Sequence, residues 1–192
     1  YYNAEGLLTG KTYDGESIAV YEYDQVGNMI KMQDRSGTTQ YYYNEANQLQ
    51  AIKYHDSKTI KYNYDEISGN ITAIEYPNGL IVEYGYDLRG RIDQVKWNRN
   101  SIEYIYDLAG NIIKENRSNG INSKYEYRED GSIGSLEHSG DEKQLASISY
   151  TYDEFGNIIE EEGVYPLTFL NQKEQIDLQE ASSIYDNDGN LT

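Results

Sequence analysis

A nine-residue pattern, Tyr-x-Tyr-Asp-x-x-Gly-Asn-Ile, returns along the chain and restricts its fold more than any other feature. It stands complete or nearly so at Tyr21, Tyr23, Asp24 and Gly27, and at Tyr84, Tyr86, Asp87 and Gly90. It stands again at Tyr104, Tyr106, Asp107 and Gly110, and at Tyr150, Tyr152, Asp153 and Gly156. Tyr62, Tyr64 and Asp65 carry one extra residue before Gly69. Two looser copies run from Tyr41 and Tyr43 to Asn44 and Asn47, and from Tyr125 and Tyr127 to Arg128 and Gly131. Partial copies lie at Tyr2 with Gly6 and at Tyr185-Asp186 with Gly189. The second tyrosines fall at 2, 23, 43, 64, 86, 106, 127, 152 and 185, so six successive intervals are 20 to 22 residues and the last two are 25 and 33. A constant period of this size marks a repeat architecture, in which each unit buries its apolar face against its neighbours. The longer intervals mark an irregular region from about Glu137 to Ser183.

Each unit reads as two strands and two turns. Before the turn, Ile60, Tyr62 and Tyr64 share one face with Lys61, Asn63 and Asp65 on the other, and Ile102, Tyr104 and Tyr106, and Ile148, Tyr150 and Tyr152, repeat the spacing. That period of two belongs to a half-buried strand. Asp-x-x-Gly then specifies a type I turn, with Asp accepting backbone N–H groups and Gly entering the left-handed region in a bulge. The motif aspartates are therefore expected to be turn residues rather than catalytic ones. After the turn, Leu49, Ile52 and Tyr54 match Ile71, Ile74 and Tyr76, and Ile92, Val95 and Trp97. A step of three and then two breaks strict alternation and predicts a β-bulge beside the turn. Asp14-Gly15, Ser36-Gly37, Asn78-Gly79 and Asn119-Gly120 supply the return turns. The expected fold is all-β: a continuous antiparallel hairpin meander of about 16 strands, roughly seven residues each. Residues 1–160 read as repeat hairpins and 161–192 as an irregular insertion followed by the start of a further repeat, with a helical turn or two expected within Asn171 to Glu180.

Composition removes several functions. Lys and Arg number 16 against 33 Asp and Glu, a net charge of −17, which opposes nucleic acid. There is no cysteine, so disulfides, thiolate nucleophiles and Cys-zinc sites are excluded, and His55 and His138 are too few for a multi-histidine metal centre. No apolar run is long enough for a transmembrane helix, and no membrane insertion is expected. No phosphate loop, nucleophile elbow or cofactor motif occurs, so neither a cofactor nor an enzyme is expected. Asp186, Asp188 and Asn190 fit the repeat better than an EF-hand loop, whose sixth-position Gly is replaced by Leu191. The run Glu160-Glu161-Glu162 reads as a solvated face. The chain holds 22 Tyr against 2 Phe and 1 Trp, which fits aromatic surfaces with a packed ring and a wet hydroxyl. With neither a starting Met nor a signal-peptide pattern at Tyr1, it reads as a fragment or a processed product.

These repeats resemble the YD-repeat, or Rhs-repeat, family. The dipeptide stands here as Tyr23-Asp24, Tyr64-Asp65, Tyr86-Asp87, Tyr106-Asp107, Tyr152-Asp153 and Tyr185-Asp186, and Gly79 to Ile92 is the clearest copy. The resemblance covers nearly the whole chain. It implies a β-hairpin strip that spirals into a hollow shell, as in bacterial polymorphic toxins, insecticidal toxin complexes, wall-associated proteins and teneurins. In toxins of this kind the shell encloses a carboxy-terminal toxin domain, so the partners implied are the rest of the parent chain and its cargo. A secreted, cell-surface or wall-associated location is implied as well. The family's Asp-Pro-rich motif is missing, since Pro77 and Pro166 do not follow Asp, which reads as a middle piece. Such repeats are also linked to carbohydrate, and an exposed tyrosine platform on a cell-surface glycan is the alternative function. Tyr ladders that hold the sheet together explain the same residues.

Overall fold

The computed structural model describes residues 1–140, 143–166 and 178–184. It is all-β, with sixteen strands among the described residues. Two compact units divide the chain, Tyr1–Gly85 and Tyr86–Thr192. The first holds β1 (Gly10–Tyr13), β2 (Glu16–Tyr23), β3 (Met29–Asp34), β4 (Gly37–Tyr43), β5 (Leu49–Lys53), β6 (Thr59–Tyr64), β7 (Ile71–Glu75) and β8 (Ile81–Tyr86). The second holds β9 (Ile92–Trp97), β10 (Asn100–Tyr106), β11 (Ile112–Arg117), β12 (Asn122–Tyr127), β13 (Ile133–Gly140), β14 (Lys143–Tyr152), β15 (Ile158–Pro166) and β16 (Leu178–Ile184). Within each unit every strand pairs antiparallel with its neighbours in chain order, so each unit is an open meander.

One face of the strip carries the apolar side chains. Tyr21, Tyr23, Tyr41, Tyr43, Tyr62 and Tyr64 are half-buried, whereas Glu22, Gln40, Lys61 and Asn63 on the other face are exposed. β10 and β12 repeat the alternation with Tyr104, Tyr106, Tyr125 and Tyr127. A single sheet layer cannot enclose side chains fully, and among the described residues the only buried apolar ones are Ala19 and Ala146. The stability of each unit therefore rests on cross-strand pairs and hydrogen bonds more than on a two-layer core.

The expected bulge lies at the same place in six motif hairpins. Registers shift at Glu22/Tyr23, Tyr42/Tyr43, Asn63/Tyr64, Ile105/Tyr106, Glu126/Tyr127 and Thr151/Tyr152. In each, the second motif tyrosine faces the first residue of the next strand, as Tyr43 faces Leu49 while Tyr41 faces Ile52. The extra residue restores Ile52 and Tyr54 to the tyrosine face, which accounts for the step of three and then two.

The return turns differ in detail. Asp14 and Gly15 both have positive φ between paired Tyr13 and Glu16, a type I′ hairpin. Ser36-Gly37 is not the turn tip expected from sequence. Gly37 pairs with Asp34 and opens β4, so Arg35-Ser36 forms the two-residue loop. Gly37 has φ 128°, and a Cβ there would stand 2.5 Å from the His55 Cβ. Close approach and backbone conformation together demand glycine at this position. In the carboxy-terminal region β15 spans residue 160 and pairs with β16, so Leu178 to Glu180 is strand rather than the helical turn expected there. The rest of that expected turn, 171–177, lies outside the described residues.

Candidate functional site: the tyrosine face and its turn row

The motif turn is built by its aspartate. Asp24 N–H donates to the Asn28 carbonyl and Gly27 N–H to the Asp24 carbonyl, closing a type I turn with Gly27 at φ 91°. The Asp24 carboxylate accepts the N–H of Val26 at 3.0 Å and of Asn28 at 2.8 Å, and the Asn28 side chain at 2.9 Å. Asp153 repeats this set with Phe155 and Asn157, and Asp107 makes the same bonds with Asn111 and accepts the Gly110 N–H at 2.7 Å. Side-chain bonds from Asn111 and Asn157, helped by the N–H groups of the same residues, hold both carboxyls below the usual range. In the longer copy, Asp65 accepts from Ser68 N–H at 2.7 Å and Gly69 closes the turn at φ 73°. Asp87 instead holds Arg91, whose Nε donates at 2.7 Å. The Arg91 guanidinium lies 4.1 Å from the centre of the Tyr106 ring, and its buried Nη1 has no hydrogen-bond partner there.

Consecutive turns stand side by side within each unit. Asn28 Nδ2 donates to Asn47 Oδ1 at 3.2 Å, and Gln48 Nε2 to the Gly69 carbonyl at 3.1 Å. In the second unit Arg89 Nη1 donates to the Leu108 carbonyl at 3.0 Å. The motif aspartates and glycines thus form a row of turns along one edge.

The second tyrosine of the motif joins successive hairpins. Tyr23 donates its hydroxyl to the Leu8 carbonyl at 2.9 Å, Tyr43 to Met29 at 3.0 Å and Tyr64 to Leu49 at 2.7 Å. Tyr106 donates to Ile92 at 2.6 Å, Tyr127 to Ile112 at 2.9 Å and Tyr152 to Ile133 at 2.7 Å. Ladder pairing between one hairpin and the next stops short of these carbonyls. Between β9 and β10 the last pair is Glu103 with Gln94, and between β5 and β6 it is Lys61 with Ala51. The hydroxyl therefore reaches across a ladder that has already opened, and satisfies a carbonyl that would otherwise lack a partner. The first tyrosines, Tyr21, Tyr62, Tyr84, Tyr104 and Tyr150, lie half-buried on the same face. Tyr21 faces Met32 and Tyr62 faces Ile74, while Tyr104 faces Glu115 and Tyr150 faces Glu161. Tyr84 and Tyr86 continue the alternation in β8.

A polar cluster interrupts this face in the second unit. Ser123, only 1% exposed, has its Oγ 2.9 Å from His138 Nδ1 and accepts from Arg117 Nη1 at 2.8 Å. Arg117 pairs with Glu115, which also accepts the Tyr125 hydroxyl at 3.1 Å. The residue types suggest a hydrolase triad, but the geometry does not form one. The serine is closed to any substrate, and the carboxylate binds Arg117 rather than the imidazole. Sequence reasoning missed the cluster and the hydroxyl bridges. Aligning the repeats would have flagged the cluster, since Glu115 and Arg117 stand where Ile74 and Tyr76 stand earlier. Among the described residues no three His, Asp or Glu side chains gather to hold a metal, and no helix is long and apolar enough to cross a membrane.

A one-layer meander of bulged hairpins, joined by a tyrosine at each step, defines a repeat strip of the shell-forming kind. The sequence matches the family described as Teneurin YD-shell over residues 1–97, half of the chain, and the protein belongs to that YD-repeat family. It is 22% identical over 152 residues to double-stranded DNA deaminase toxin A of Burkholderia cenocepacia (strain H111), covering 76% of this chain and 9% of that protein. Among solved structures it is similar to TcdB2-TccC3-TEV, with a TM-score of 0.74 and 15% identity over 88% of this chain and 10% of that one. It is also similar to the Photorhabdus luminescens Tc holotoxin pore, with a TM-score of 0.69 and 18% identity over 86% of this chain and 9% of that one. At these identities the structural likeness establishes the fold. The chain spans about a tenth of the length of the proteins it matches. It is a structural YD-shell segment.

Proposed function

We propose that this segment is part of the wall of a container: a strip that, with the rest of a secreted or cell-surface parent, encloses a toxin or other cargo domain and performs no chemistry itself. The observation that carries this reading is the use of the tyrosine hydroxyls. Six of them are committed to main-chain carbonyls of the preceding hairpin, so the tyrosine face is occupied with holding the strip together rather than displaying donors to a glycan. The bulge at Tyr23, Tyr43, Tyr64, Tyr106, Tyr127 and Tyr152 adds support, because bulges bend and twist the strands that carry them and a bend repeated from hairpin to hairpin curls a sheet. On this reading Tyr21, Tyr23, Asp24, Gly27 and their equivalents through Gly156 are structural throughout, and 161–192 is an insertion followed by a further repeat.

The test is proteolysis of the parent polypeptide that carries this strip. The cargo domain is expected to resist protease in the intact parent, and to become cleavable when the six bridging tyrosines are replaced by Phe. Cargo digested equally fast in the intact parent and in isolation would overturn containment.

A further inference from the structure

A strip of near-identical hairpins has a pairing problem. From β5 to β10 its apolar face offers the same kinds of side chain at every step, so a strand displaced by two residues keeps its face and meets similar partners. The positions after the bulge are Ile52 in β5 and Tyr54 just past its end, Ile74 in β7 and Tyr76 just past its end, and Val95 and Trp97 in β9. The position two residues before the first motif tyrosine is Ile60 in β6, Val82 in β8 and Ile102 in β10. None of these side chains distinguishes one register from the next by more than shape.

The three strands β11, β12 and β13 differ at these same positions. Glu115 and Arg117 replace the Ile-Tyr pair, Ser123 replaces the aliphatic residue, and His138 stands where Tyr54 and Tyr76 stand. In the register, Ser123 lies opposite Glu115 on one side and opposite His138 on the other. Arg117 reaches Ser123 and Glu115, Tyr125 reaches Glu115, and Ser123 meets His138. Each polar side chain finds its partner only in this alignment. A displacement of β13 by two residues sets Leu136 or Gly140 beside the buried Ser123 and removes its His138 partner.

We infer that the Glu115, Arg117, Ser123, Tyr125 and His138 network is a register lock, which fixes the pairing of β11, β12 and β13 in a chain whose strands β5 to β10 are nearly interchangeable. Buried polar groups that are satisfied in one arrangement and orphaned in others select that arrangement, even where apolar residues would give equal stability. Two orphaned groups in the displaced form correspond to a discrimination of roughly thirtyfold.

The absence of native cysteine allows a direct test. Glu126 lies opposite Ser135 on the face away from the network, and Lys124 lies opposite Glu137. The double variant Glu126→Cys with Ser135→Cys therefore reports the native register, and Glu126→Cys with Glu137→Cys reports a two-residue displacement. Each pair is introduced into the otherwise unchanged chain. Each is also introduced into a variant carrying Glu115→Ile, Arg117→Tyr, Ser123→Val and His138→Tyr, the residues that other repeats hold. After refolding from urea under oxidising conditions, the unchanged chain should form the native disulfide and leave the displacement pair reduced. The fourfold variant should form the displacement disulfide at a level roughly tenfold or more above the unchanged chain. If it refolds and still forms only the native disulfide, the lock is refuted. If the fourfold variant does not refold, Ser123→Val with His138→Tyr, which removes the polar link between β12 and β13, carries the same comparison, and the same two results decide it.

Discussion

Replacing Tyr106 by Phe removes one hydroxyl and leaves the ring, its stacked Arg91 and the strand intact. The lost bond is the 2.6 Å contact to the Ile92 carbonyl, which lies beyond the last ladder pair between β9 and β10. A net loss of about 1 kcal/mol is expected, rising towards 2 if the half-buried carbonyl gains no water. Tyr42→Phe is the control, since Tyr42 is 44% exposed and its hydroxyl reaches only the Gln40 side chain at 3.2 Å. That change should stay within about 0.5 kcal/mol of wild type. The assay is urea unfolding followed by far-ultraviolet circular dichroism, with a lowered midpoint and an unchanged slope expected for Tyr106→Phe. Bridging tyrosines on successive hairpins are two strands, roughly 9.5 Å, apart, so their effects should nearly add. Phe at Tyr23, Tyr43, Tyr64, Tyr106, Tyr127 and Tyr152 together should cost about 6 kcal/mol, comparable with the 5–15 kcal/mol that holds an ordinary domain folded. A Tyr106→Phe midpoint indistinguishable from that of Tyr42→Phe would refute the bridging role.

The remaining expectations concern backbone and charge. Gly37→Ala should destabilise well beyond Gly90→Ala: both have positive φ, but a Cβ at Gly90 meets open space and one at Gly37 meets His55. Gly90→Ala is expected to cost about 1–2 kcal/mol in the same unfolding assay. Asp153→Ala frees the N–H groups of Phe155 and Asn157 and should lower the urea midpoint, whereas Glu154→Ala beside it should leave the midpoint almost unchanged. Asp107 and Asp153 have folded-state values depressed below the unfolded value of about 3.9, so their stabilisation is present above that pH and is lost as pH falls through the depressed values. Burial pushes the Tyr64, Tyr104 and Tyr150 hydroxyls up, which favours their neutral form. Their contribution is complete below about pH 10 and is lost as pH rises through the raised values. Urea midpoints should accordingly be highest near neutrality and fall at both pH 3 and pH 11, and a midpoint unchanged at pH 11 would contradict tyrosine burial.

The hairpins were legible in sequence because their signals are local. Alternation around Tyr62 and Tyr64, the Asp-x-x-Gly spacing and the three-then-two step each act over a few residues, and the structure contains the strand, turn and bulge they specify. What escaped notice depends on neighbours about one repeat away. Tyr106 reaches Ile92 because the ladder between β9 and β10 opens, and that opening is set by the bulge rather than by either residue. Gly37 read as a turn glycine because glycine after Ser36 resembles one, whereas its constraint comes from His55, in the turn that follows the neighbouring strand β5. The polar cluster shows in sequence only as departures at Glu115, Arg117 and His138 from earlier repeats, and their convergence on Ser123 needs the register.

Tyrosine nitration read by mass spectrometry on the folded chain tests the central claim most directly, that the motif tyrosines are built into the strip. Tyr1, Tyr2 and Tyr13, at 75%, 71% and 76% exposure, should be nitrated first. Tyr23, Tyr43, Tyr64, Tyr106, Tyr127 and Tyr152 should stay protected until urea unfolds the chain. Nitration of those six as fast as Tyr1, Tyr2 and Tyr13 would contradict the account and would make an open tyrosine platform the better description of this face.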